Sequence, residues 1–331
     1  MGLSSLKRDI GVDLLRALGM LYIIGYWHIF NYTNPFPIYK NIITELLIRT
    51  DLAVFVLMSG YYVAKGYSTE NFSVIEFYKK KVLRIYPLYI IAIFLYYFFN
   101  INGGTILVFA TFSLSMFIEP APITLWFVSM IMIFFAITPI ILKILFRKKM
   151  QYLLIVSGIF VCVLLFYEYI TGLLDIRILM YFPAYLLGII MAQKKVTIKK
   201  KLNYFFILII CILPLFLLNY LTSKNLIGLV KIPFITYTSF LLFKWAKNHN
   251  LKANKIKNLV LWISFSTWCM YLFHRPIYMI ILKLYHPEKL GWQLVYLLLV
   301  GIPIIILSSF VIQYIYDKIY KWVIKKILLI S

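Results

Sequence analysis

Residues 8–28, RDIGVDLLRALGMLYIIGYWH, carry Arg8, Asp9, Asp13 and Arg16 at one end of an apolar stretch and His28 at the other. Each such group costs about 2.5–3.5 kcal/mol at a bilayer centre, so it is kept near an interface, in a polar cavity, or paired. On an α-helix the twelve steps from Arg16 to His28 cover about 18 Å, a large part of a hydrocarbon core about 30 Å thick. The stretch thus offers a cation near one face and an imidazole towards the other. A guanidinium binds phosphate or carboxylate, whereas an imidazole with an ordinary pKa of about 6.5 takes a proton from a hydroxyl or accepts a transferred group.

The elements that must position these groups follow from composition. Of 331 residues 63% are hydrophobic and 14% charged, with a mean hydropathy of +0.90; a soluble domain is roughly 45–50% apolar and 25% charged. The chain reads as an all-α polytopic membrane protein, a single domain over 1–331. A net charge of +23 would suggest nucleic acid in a soluble chain. Here Lys and Arg cluster between apolar runs and form no recognition motif, so no nucleic-acid partner is expected and the charge is a topology signal. Cys162, Cys211 and Cys269 lie far apart inside apolar segments, which argues against a disulfide framework or zinc site. Asp13 and Arg16 interrupt any early signal-peptide core, so the first helix is expected to remain as an anchor.

Apolar runs lie near 12–30, 52–66, 85–99, 105–118, 125–146, 152–170, 178–193, 203–221, 226–243, 259–282 and 292–316. Basic clusters punctuate them at Lys7–Arg8, Lys79–Arg84, Arg147–Lys149, Lys194–Lys201, Lys244–Lys257 and Lys318–Lys326. If the run at 105–118 does not cross, every cluster falls on one side, which the positive-inside rule makes cytoplasmic. That run follows Asn100, Asn102, Gly103 and Gly104 and ends at Glu119, Pro120 and Pro122, so it reads as an external re-entrant or interfacial segment. The expectation is about ten transmembrane helices with both termini cytoplasmic, Arg16 and Arg84 near the inner face, and His28 near the outer one.

The opening DLLRALGMLYIIGYWH resembles the first helix of the integral-membrane acyltransferase 3 family, in which an Asp/Arg pair leads into an apolar helix ending in His. Further similar segments follow in order: FVLMSGY at 55–61, KKKVLRIYPLY at 79–89, LWFVSMIMIFFAITPII at 125–141, YFPAYLLG at 181–188 and STWCMYLFHRPI at 266–277. The resemblance implies ten membrane helices and transfer of an acyl group, usually acetyl from acetyl-CoA, to a hydroxyl of a surface glycan. It implies a multi-pass protein of a bacterial inner (plasma) membrane in contact with membrane lipid, in the form without a fused extracytoplasmic domain. A Lys-, Ile-, Tyr- and Phe-rich composition is compatible with an AT-rich bacterial genome.

Two departures from the family pattern matter. Its Arg and His usually stand eleven positions apart, nearly one face of a helix; here the step is twelve, which turns His28 about 100° further and leaves Trp27 on the Arg16 face. A one-residue π-bulge at Gly19 or Gly25 would restore the alignment. Lys81 stands where the family's basic motif often has Arg, which keeps the charge and loses the bidentate fork.

On this reading the catalytic candidates are His28 and Asp13. Arg16, Lys81 and Arg84 are the acyl-CoA-binding candidates, holding the nucleotide end of the donor at the inner face while its arm enters the bundle. Trp126, His274 and Arg275 are acceptor or pore-lining candidates. His28 acts either as general base or as acyl carrier, and no metal is implied because no close His/Cys grouping occurs.

Each residue has a structural alternative. His28 suits an interfacial position, Arg16 a positive-inside anchor paired with Asp13, Lys79–Lys81 topology determinants, and Trp126 a belt anchor. Ser59-Gly60 lacks a G-x-S-x-G frame and reads as a small-residue packing contact. His274, Arg275 and Pro276 together imply a kinked helix with polar groups facing a cavity. A transporter or flippase is the alternative function, since ten helices with scattered polar groups also suit alternating access.

Overall fold

The computed structural model describes residues 9–67, 72–118, 120–146, 150–193, 231–249 and 254–330. The expected run at 203–221, the start of that at 226–243, the clusters at Lys7–Arg8, Arg147–Lys149 and Lys194–Lys201, and Glu119 lie outside the described residues. The described residues are helical with no strand: α1 (Ile10–Tyr22), α2 (Ile42–Gly66), α3 (Val74–Phe98), α4 (Gly104–Thr111), α5 (Trp126–Phe146), α6 (Met150–Thr171), α7 (Arg177–Gln193), α8 (Ile232–Asn248), α9 (Asn254–Leu284), α10 (Leu290–Tyr296) and α11 (Ile302–Ile330).

Five stretches among them are long and apolar enough to cross a membrane: Ile10–Asn31, Val74–Phe98, Trp126–Leu145, Lys255–Leu284 and Leu290–Lys326. Ile155–Thr171 and Arg177–Ala192 are shorter apolar helices. The chain is a membrane protein that is helical, without strands, among the described residues. The segment expected not to cross is broken: α4 has 8 residues, about 12 Å of rise, and a 3₁₀ turn follows at Ser115–Phe117. Positive φ at Asn100 (51°), Ser113 (58°) and Thr124 (67°) marks its bends. The helix containing the run at 52–66 starts ten residues earlier, at Ile42, because Glu45, Arg49 and Asp51 interrupt the apolar pattern and not the helix.

The chain divides into two compact units: 1–48, 82–101 and 241–331 form the first, and 49–81 and 102–240 the second. In the first, α1 packs along α9 in the same direction, since Asp13 meets Ser264 and, further along both helices, His28 meets His274. In the second, α2 and α7 cross at two glycines. A Cβ on Gly60 would lie 2.3 Å from the carbonyl oxygen of Tyr185, and one on Gly188 would lie 2.1 Å from that of Leu57. Both glycines belong to the FVLMSGY and YFPAYLLG segments, so the spacing there serves backbone-to-backbone approach. Ser59 donates to the carbonyl of Phe55 on its own helix, in keeping with packing rather than nucleophilic work.

Candidate active site

α1 does not continue to His28 as an α-helix. From Ile23 to His28 the chain is π-helical, IIGYWH, and a short 3₁₀ turn follows at Ile29–Asn31. The extra residue of the Arg16–His28 spacing is absorbed here, with Gly25 inside the wide turn. Two contacts hold the turn, and a third holds Tyr278. The Tyr278 hydroxyl of α9 donates to the Ile24 carbonyl at 3.0 Å. Gly25 faces Ile302 at the start of α11, where a Cβ would come within 2.7 Å of the Ile302 Cδ1. A second π segment, Leu297–Gly301, joins α10 to α11 and ends in a glycine whose Cβ would sit 3.1 Å from the Tyr278 ring. Tyr278 is thus clamped between two wide turns. Tyr278→Phe is expected to cost about 1 kcal/mol through the lost hydrogen bond and to lower activity several-fold by loosening the turn that aims His28; thermal denaturation and turnover check it.

The imidazole of His28 meets His274, with Nδ1 of His28 2.8 Å from Nε2 of His274. The ring planes are 4° apart and the centroids 4.8 Å apart; the nitrogens lie much closer than the centroids, so the rings meet edge to edge, as a ring N–H···N bond requires. His274 is fully buried, and its Nδ1 lies 3.0 Å from the Met270 carbonyl oxygen and 2.9 Å from that of Tyr271. Arg275 is 6% exposed and faces Tyr32, just beyond the 3₁₀ turn. Tyr32 also packs against Tyr278, with ring centroids 5.0 Å apart. The result is a polar group in which buried His274, Arg275 and Tyr278 meet half-buried His28 and Tyr32, with Nε2 of His28 the ring nitrogen turned away from His274.

At the other end of α1, Asp13 accepts a 2.6 Å hydrogen bond from Ser264 of α9 and lies 3.7 Å from the guanidinium of Arg16. Asp13 is 4% exposed. It therefore joins α1 to α9 and holds Arg16, one helix turn on, while the hydrogen-bond partner of His28 is His274. Arg84 pairs with Asp317 of α11 at 2.8 Å and lies over the Tyr320 ring, and Asp317 is held in turn by Gln313 at 2.8 Å.

In the second unit, the ammonium of Lys81 lies 4.9 Å from the ring centroid of Phe135 and 5.9 Å from that of Phe77. Trp126, expected at a membrane boundary, is only 7% exposed. The Arg177 guanidinium covers its ring at 4.0 Å and Tyr181 stacks on it at 6.0 Å. Arg177 is gripped by Asp175, whose two carboxylate oxygens accept from Nε at 2.8 and 2.9 Å. Asp175 and Arg177 were not singled out from sequence; the signal was an Asp-x-Arg at the start of an apolar run, where a side-chain fork closes on its own helix end.

Compared with models of known families, residues 9–314 match the acyltransferase 3 family, whose description is acyltransferase domain. No curated protein and no solved structure matches the chain.

Proposed function

The chain belongs to the acyltransferase 3 family, and from that premise we propose that it moves a short acyl group, acetyl foremost, from acyl-CoA to a hydroxyl of a cell-surface polysaccharide or its lipid-linked precursor. The observation that carries the reading is the placement of His28. A π turn brings it against a buried His274 and Arg275 at one end of α1, while Asp13 and Arg16 stand at the other end. In this reading the protein sits in the plasma membrane with Arg16 and Arg84 at the cytoplasmic face. Arg16, Lys81 and Arg84 draw the phosphates of acetyl-CoA there, and the donor's arm runs into the bundle towards His28.

The transfer uses His28 as general base. The acceptor hydroxyl oxygen attacks the thioester carbonyl as Nε2 of His28 takes its proton. The carbon–sulfur bond breaks, the ester forms, and the proton passes to the departing thiolate, so the imidazole is restored. Within the second unit Trp126, the acceptor-side candidate read from the sequence, is held by Arg177 and Tyr181.

Mass spectrometry of envelope glycans from cells with and without the gene tests the substrate assignment. Loss of an acyl mass increment, with glycan export unchanged, is the expected result. Unacylated glycans in both strains, with export lost, would favour a transporter.

A further inference from the structure

We infer that His274 is a positioning residue that sets the tautomer of His28, so that Nε2 of His28 carries the lone pair and Nδ1 carries the hydrogen; this rests on the reading of His28 as the base. The argument follows the hydrogens from the backbone outward. Nδ1 of His274 faces two carbonyl oxygens, of Met270 at 3.0 Å and Tyr271 at 2.9 Å. Carbonyl oxygens only accept, so this nitrogen bears a hydrogen. In a neutral ring the lone pair then lies on Nε2, and Nε2 is the atom 2.8 Å from Nδ1 of His28. Two lone pairs do not face each other at that distance, so Nδ1 of His28 donates.

The other arrangement, a doubly protonated His274, would bury a second cation beside the 6%-exposed guanidinium of Arg275, which apolar surroundings oppose. Among the described residues the charged and titratable groups facing the pair are Tyr271, Arg275 and Tyr278 on the same helix, Tyr32 beyond the 3₁₀ turn, and Lys40 from the following loop. None of these is a carboxylate. A free imidazole in water favours its hydrogen on Nε2, so the site holds His28 in its less favoured form.

The chemistry resembles a nucleophile–base–orienter arrangement in which a neutral imidazole does the work usually given to a carboxylate. A carboxylate there would add a buried anion within a membrane segment; an imidazole supplies the same acceptor without charge. When Nε2 takes the acceptor's proton, the Nδ1–H bond to His274 persists and shares the new positive charge, which leaves with the proton to the thiolate.

The chain contains four histidines, so nitrogen-15 NMR of histidine-labelled protein reads the tautomers. In an H249Q/H286Q background only His28 and His274 remain. Both are expected as Nδ1–H forms, and His274→Leu is expected to return His28 to the Nε2–H form. An Nε2–H His28 in the unsubstituted pair would overturn the inference, whatever the reaction proves to be. In turnover, H274L lowers kcat about 100-fold with KM for acyl-CoA little changed. His274→Gln, whose amide oxygen accepts the same hydrogen, stays within about 10-fold, and H28A/H274L is no slower than H28A. Strictly additive losses, or no rescue by Gln over Leu, would reduce His274 to packing.

Discussion

Replacement of His28 by alanine is expected to lower acyl transfer by about 10²–10⁴-fold, the range for removing a positioned general base, while the protein remains folded. The side chain is only partly buried, and among the described residues its hydrogen bond is to Nε2 of His274. Leaving that nitrogen unpaired costs about 1–3 kcal/mol, within what a chain of this size tolerates. KM for acyl-CoA should change little, because the cations proposed to bind its phosphates lie elsewhere. Turnover of purified protein with monodisperse size-exclusion behaviour checks both halves. Unchanged turnover removes His28 from the chemistry.

The largest expected effect on stability is at the α2–α7 crossing. A Cβ at Gly188 would stand 2.1 Å from the Leu57 carbonyl oxygen and 3.0 Å from the Tyr61 nitrogen. These are backbone atoms, so no side-chain rotation relieves the overlap and the helices must part. Gly188→Val is expected to cost at least about 3 kcal/mol and to abolish recovery of folded protein. Gly158→Ala, inside α6 at a position with nothing within 4 Å, is the control and should leave the melting temperature unchanged or slightly raised. Folded Gly188→Val at normal yield would contradict the close crossing.

Much of the fold was legible because helix-length apolar runs and their basic flanks are local properties of the chain. The π turn was legible as well. A step of twelve between Arg16 and His28, one more than in the family the chain resembles, called for one extra residue in the helix at Gly19 or Gly25, and the turn widens around Gly25. What could not be read was pairing between distant segments. His28 and His274 are 246 positions apart, and no helical periodicity relates them. Arg84 likewise finds Asp317 on a helix more than two hundred residues later. Asp13 was grouped with His28 through the family's pattern of an Asp/Arg pair leading into a helix that ends in His, yet Asp13 meets Ser264 of α9 and Arg16 at the end of α1 away from His28. Trp126 opens its helix as a boundary tryptophan would, and only the Asp175–Arg177 fork folded over it explains its burial. The start of α2 was missed for a related reason: hydropathy falls at Glu45, Arg49 and Asp51, whereas Glu and Arg are good helix formers.

The most direct test of the account is acceptor-dependent release of free CoA thiol by the purified protein in lipid vesicles given acetyl-CoA. The account predicts thiol release, with matching acylation of the glycan, only when acceptor is present, and its loss in His28→Ala. Glycan acylation at an undiminished rate in His28→Ala, or no thiol release with a glycan that the cell demonstrably acylates through this protein, would contradict it.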